Sequence, residues 1–190
     1  MKKQLILLLS IMAVLFAGCS DQKATATRQR WMEIKTATEN FLEEMNIANQ
    51  STPIKSIDQI SESLARTTST VNACRTYNEA LSSQKTVNVD PQLNALAEKL
   101  FESSKELLTQ MQKVQEGFIT AQRLQTELQT ADDSQKDRIS LEADKISSNI
   151  DSAQQIGVEA LMQISSHYQK LETLRLELNK QYGFELPQIK

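Results

Sequence analysis

Turn-forming residues are scarce in this chain. It has four glycines and three prolines in 190 residues, too few for the hairpins and bends of a sheet protein. Aromatic residues make up 5%, so any core must be mainly aliphatic. His167 is the one histidine. With no G-x-S-x-G elbow beside it, a Ser-His-Asp triad has no framework. No Glu-x-x-His motif occurs, which removes the di-metal carboxylate site that a four-helix bundle can carry. There is no phosphate-binding glycine loop either. Groups that activate nucleophiles or move protons near neutral pH are nearly absent. The expectation is a protein that is not an enzyme and holds neither metal nor non-covalent cofactor.

Basic charge is also in short supply: 21 lysines and arginines face 24 acidic residues. Lys2 and Lys3 sit in the leader described below. Without them the remainder carries 19 against 24, a net charge of −5. That balance argues against nucleic acid as a partner, because phosphate contacts need clustered cations. It equally disfavours a polybasic grip on anionic lipid.

What is present is helical periodicity. Apolar residues recur at three- and four-residue steps over four stretches, predicting helices at 24–50, 53–82, 91–130 and 135–182. In the first, Trp31, Ile34, Phe41 and Met45 share a face, with Thr38 filling the gap. The second follows Thr52-Pro53, a favourable N-cap and first turn. It carries Ile54, Ile57, Ile60, Leu64, Val71, Cys74 and Leu81, and Thr67–Thr70 in its middle makes a local bend plausible. The stretch 82–90 reads as a loop, with Asp90 capping a helix that opens at Pro91. The third stripe, from Leu93 to Leu128, is the strongest and is interrupted only at Ser104 and Gln125. Ser134 with Asp137 resembles a capping box for the fourth helix. That helix runs through Ile139, Ile150, Gly157, Ile164 and Leu171 to Tyr182, and Gly183 then supplies a stop.

The fold class expected is all-α: an elongated antiparallel helical bundle or coiled coil of about four long helices, the last two longest. Spacing near 3.5 residues is the left-handed supercoil period. At 1.5 Å per residue the first two helices reach ~40 Å and the last two ~60–70 Å. The surplus around Leu124–Leu128 and Ile139–Ile146 would then project as a hairpin tipped by Ala131, Asp132, Asp133 and Ser134, a candidate interaction tip. Ser104 and Gln125 either set register or mark where the stripe drifts to the surface. Trp31, Phe41, Phe118 and Tyr168 are either ordinary core or the lining for an apolar ligand. Gly157 permits close helix approach or a kink.

At the N-terminus, Lys2 and Lys3 precede an apolar run, Leu5–Ala17, that closes in small residues and a cysteine. Some 13 residues fall short of a ~30 Å hydrocarbon span, and the pattern is that of a secretory signal. Leu15-Phe16-Ala17-Gly18-Cys19 resembles the lipobox of bacterial lipoproteins, although Phe16 replaces the commoner leucine. The resemblance covers only Met1–Ser20. It implies a cleaved signal peptide at 1–18, a covalent lipid on Cys19 and a lipidated tether at 19–23, while the helical periodicity leaves one bundle domain at 24–182 and a tail at 183–190. It also implies attachment to the membrane through the N-terminal lipid, in the cell envelope. Ser20 after the cysteine resembles outer-membrane lipoproteins facing the periplasm, should the source be Gram-negative. Cys74 is then a lone thiol, read as a small buried residue. The function expected is a non-enzymatic helical interaction or scaffold module, binding a protein partner or a second copy through its helix faces. The alternative is a bundle that binds an apolar or lipidic ligand.

Overall fold

Pro91 opens a helix whose N-cap is Asp90: the Asp90 carboxylate accepts from the Gln92 N–H at 2.9 Å, and the missing proline N–H costs nothing in that first turn. This is α3, Pro91–Leu128. It follows α1, Lys2–Asn49, and α2, Asp58–Ser82, and precedes α4, Asp133–Tyr182. The computed structural model describes residues 2–49, 58–82 and 88–188, and for 2–21, 47–49, 58 and 59 the backbone alone. No strand occurs among the described residues, and the fold is an all-α antiparallel bundle.

Side-chain pairs fix the register. Between α2 and α3, Gln115 bonds Thr68 at 2.8 Å and Gln122 bonds Ser61 at 3.3 Å, so residue numbers rise on one helix as they fall on the other. Between α3 and α4, Ser103 bonds Gln163 at 3.4 Å and Arg123 pairs with Glu142 at 3.2 Å, again antiparallel. On α1, Arg30 donates to the Leu81 carbonyl at 2.6 Å and Thr38 meets Tyr77 at 3.0 Å.

The bundle tapers. One core cluster draws on all four helices, with Trp31 and Ile34 from α1, Cys74 and Tyr77 from α2, Leu93 and Leu100 from α3, and Ile164 and Leu171 from α4. Each fully buried aliphatic side chain there contributes roughly 1.5–3 kcal/mol. A second cluster, Val114, Phe118 and Ala153 with Ile60 and Leu64, is built by α2, α3 and α4. Past the Ser61–Gln122 bond the described part of α2 has only Asp58–Ile60 left, and from there toward the tip the described structure is the α3–α4 hairpin.

Several local expectations change. Thr67–Thr70 lie within one continuous α2, where Thr67, Thr68 and Thr70 turn their hydroxyls onto carbonyls four residues back. The start at Thr52-Pro53 lies outside the described residues. The cap of α4 is Asp132 with Gln135, not Ser134 with Asp137: the Asp132 carboxylate accepts from the Gln135 N–H at 2.9 Å, and Gln135 Oε1 accepts from the Asp132 N–H at 3.0 Å. α4 starts at Asp133, two residues before the expected start at 135, so the orphan N–H groups that need a partner are those of the turn after Asp132, and Ser134 lies already inside the helix. Counted from Ala24, the first helix is shorter than α3 and α4, but the helical backbone continues back through the leader to Lys2.

α3 and α4 approach closely at two glycines. A Cβ on Gly157 would stand 2.7 Å from the terminal methyl of Met111, and one on Gly117 only 2.5 Å from Ile150 Cγ1. Gly157 therefore serves close packing within an unbroken α4.

Candidate functional site

The tip is built by its caps. Gln129 and Thr130 close α3 through N–H bonds to the Thr126 and Glu127 carbonyls at 3.3 and 3.2 Å. Asp132 then starts α4, with the Ser134 hydroxyl also donating to its carboxylate at 2.9 Å. The Gln135 N–H holds the Asp132 carboxyl below the usual carboxylate range, and the Ser134 hydroxyl adds to this. Asp132, Asp133 and Ser134 are exposed and Ala131 is half-buried, so all four sequence-predicted tip residues fall together in one turn.

Below that turn the two stripes face each other across a groove of about 520 Å³. Ile60 closes its lower end, α3 lines it with Phe118, Leu124 and Leu128, and α4 with Ile139, Ile146 and Ile150. Leu124 and Ile139 are buried against one another's helix, but Leu128 is 45% exposed and Leu141, further round α4, is 73% exposed. Gln125 also lines the groove, so this polar departure marks the stripe's edge.

Ser104 behaves differently. It is wholly buried, its hydroxyl donates to Asn78 Oδ1 at 2.6 Å, and Asn78 Nδ2 donates to its carbonyl at 3.3 Å. With Thr38–Tyr77 and Ser103–Gln163, a polar layer crosses all four helices at one level. A buried pair satisfied in only one register disfavours every slipped alternative.

The opposite end of the bundle is tied by Asp90. Its N–H donates to Thr27 Oγ1 at 3.0 Å, and its second carboxylate oxygen accepts from the Tyr182 hydroxyl at 2.9 Å. One residue thus joins α1, the start of α3 and the end of α4. Beside it, buried Arg30 bonds the Leu81 carbonyl, satisfying an orphan acceptor at the α2 C-terminus, where a cation is favourable. After Gly183, at φ 69°, the tail folds back so that the Leu186 N–H donates to Asn179 Oδ1 at 2.8 Å and Arg175 holds the Leu186 carbonyl at 3.1 Å. Thr27 could be foreseen four residues ahead of Trp31 on the same stripe. The partnership of Asp90 with Tyr182, 92 residues apart, has no local signal.

Cys19 lies on the helical backbone of α1, and its side chain lies outside the described residues. The remaining candidates resolve into packing. Trp31 and Phe118 are buried core, and Phe41 stacks on Tyr77 with ring centroids 4.5 Å apart. Tyr168 is half-buried, its hydroxyl pushed up by burial and by Glu39 and Glu172. Burial pushes the Cys74 thiol up to about 12, which leaves it protonated and inert. His167 is held below its usual value by burial and by Lys170 and Lys99. Among the described residues no group of three His, Cys, Asp or Glu side chains could hold a metal ion, and no helix is long and apolar enough to cross a membrane. Comparison with protein-family models, curated proteins and solved structures finds no match for this chain.

Proposed function

We propose that this chain is a lipid-anchored lipoprotein of the cell envelope, attached through Cys19, and that it works without catalysis as a helical interaction module. The observation that carries the interaction reading is the apolar groove of the α3–α4 hairpin, which no described residue beyond Ile60 covers. Leu128, exposed at 45%, carries that apolar surface toward the tip. A helix from another envelope protein, or from a second copy, would bury it by the same stripe-on-stripe packing that holds the bundle. The lipid supplies the membrane attachment that the acidic chain lacks, and the outer membrane facing the periplasm is the proposed location in a Gram-negative cell.

The test is site-specific photocrosslinking from Gln125 and Leu128, which line the groove near the tip, with Leu176 (52% exposed on α4, away from the tip) as control. Discrete crosslinked species from the two tip positions and none from Leu176 are expected. Equal silence at all three, with light scattering that gives a monomer, would remove the interaction reading.

One observation supports the ligand reading. The α1–α2 groove encloses about 500 Å³ over Phe41, Tyr77, Ala37 and Ala73, a volume in the usual range for small ligands. Mass spectrometry of lipid co-purifying with the chain, lost on Ala73→Trp, is the outcome this second reading requires.

A further inference from the structure

We propose that the Asp90 end of the bundle seats directly on the lipid headgroup layer through Lys23, Tyr182 and Phe184, so that the hairpin stands upright at a fixed height. The inference rests on acylation at Cys19 and adds to it a contact surface and an orientation. α1 is helical without a break from Lys2 to Asn49. Cys19 and Lys23 are therefore one turn apart, about 6 Å along the axis, and no flexible linker separates the anchor from the bundle.

The chemistry of this end suits the polar–apolar boundary of a bilayer. Tyr182 and Phe184 stack with centroids 5.5 Å apart and planes within 7°, and both remain partly exposed. The Lys23 ammonium lies 5.9 Å from the Tyr182 ring centre. Aromatic rings with one wet edge, and lysines whose stems run along apolar surface, are the side chains that settle at headgroup depth.

Local charge agrees. Counted along the sequence at this end, Lys23, Arg28 and Lys180 stand against Asp21 and Glu185, while Asp90 is buried with both carboxylate oxygens bonded. An acidic chain thus turns a mildly cationic end toward the anchor. With the end seated, the 38 residues of α3 raise the Ala131–Ser134 turn about 57 Å above the headgroups.

The experiment uses the full acylated chain in vesicles of phosphatidylethanolamine and phosphatidylglycerol. An environment-sensitive maleimide dye is placed at Glu185→Cys, at Gln181→Cys as a second position on the same end, and at Asp133→Cys on the tip. Buried Cys74 leaves no background. Mass spectrometry of the N-terminal peptide first establishes the lipid on Cys19. Headgroup spin-labelled lipid should quench the dyes at 185 and 181 several-fold more than the dye at 133, with iodide in the reverse order. Acylated, vesicle-bound protein whose three dyes respond alike would overturn the seating and leave the anchor intact. A chain with no lipid on Cys19 would overturn both.

Discussion

Gly117 and Gly157 sit on opposite helices of the α3–α4 seam, yet a methyl group at each meets a different obstacle. At Gly157 the nearest atom is the far end of the flexible Met111 side chain, and Leu107 and Gln110 stand at ordinary contact distance, 3.6 and 3.8 Å. Met111 can rotate away, so Gly157→Ala should retain most of the ~1 kcal/mol by which alanine exceeds glycine in a helix. At Gly117 the new Cβ would meet Ile150 Cγ1, which is tied to a β-branched centre and cannot swing clear. Overpacking there costs about 1–3 kcal/mol, so Gly117→Ala should be net destabilising despite the same helical gain. Urea denaturation of both variants checks the contrast. A stabilised Gly117→Ala would mean that the seam is looser than its distances imply.

Asp132 shows how far an element's ends can be read in advance. The Ser-Gln-Lys-Asp run after the tip signals a helix start, but which of three polar side chains caps it depends on where the turn from α3 releases the backbone. The stripes were fully legible: Leu93, Leu100, Leu107, Ile164 and Leu171 recur at helical steps and are buried as their spacing requires. Leu128 continues the same stripe yet stays 45% exposed, because burial also needs a neighbouring helix at that level, and the described part of α2 begins at Asp58, just past its Ser61–Gln122 bond to α3. The Asp90–Tyr182 and Asn78–Ser104 bonds were illegible for a related reason, since they depend on the final inter-helix register. Asp132 itself carries a testable consequence. Its carboxyl is held below the usual carboxylate value, so its contribution to α4 is complete above that value and fades as pH falls through the lowered one. Nuclear magnetic resonance titration should place its midpoint below that of a free aspartate. Asp132→Ala should weaken the start of α4, seen as faster amide exchange in its first turns at neutral pH and as a smaller difference from wild type once the cap is protonated. A normal midpoint would mean that the capping bonds do not persist in solution.

Across the whole molecule, the taper from four helices to two sets a gradient of local stability. Where all four helices meet, opening any one exposes part of the shared core around Leu100 and Ile164, so those amides should exchange only through global unfolding. In the middle stretch, around Val114 and Phe118, the described partners are α2, α3 and α4. In the hairpin past Leu124 the described partners are α3 and α4, and separating them there exposes Leu124 and Ile139 while the polar layer at Asn78–Ser104 stays closed. Hydrogen exchange of the isolated chain should therefore show protection falling stepwise along α3, highest near Leu100, lower past Val114 and lowest past Leu124. α4 should mirror the order from Leu171 back to Ile139. The same measurement on the acylated chain with its binding partner should raise protection past Leu124 and leave the base unchanged, because only the groove gains a neighbour. Protection as strong at Leu124 as at Leu100 in the isolated chain would mean that the hairpin is already covered. The apolar groove would then be part of a closed core, and the interaction reading would lose the surface on which it depends.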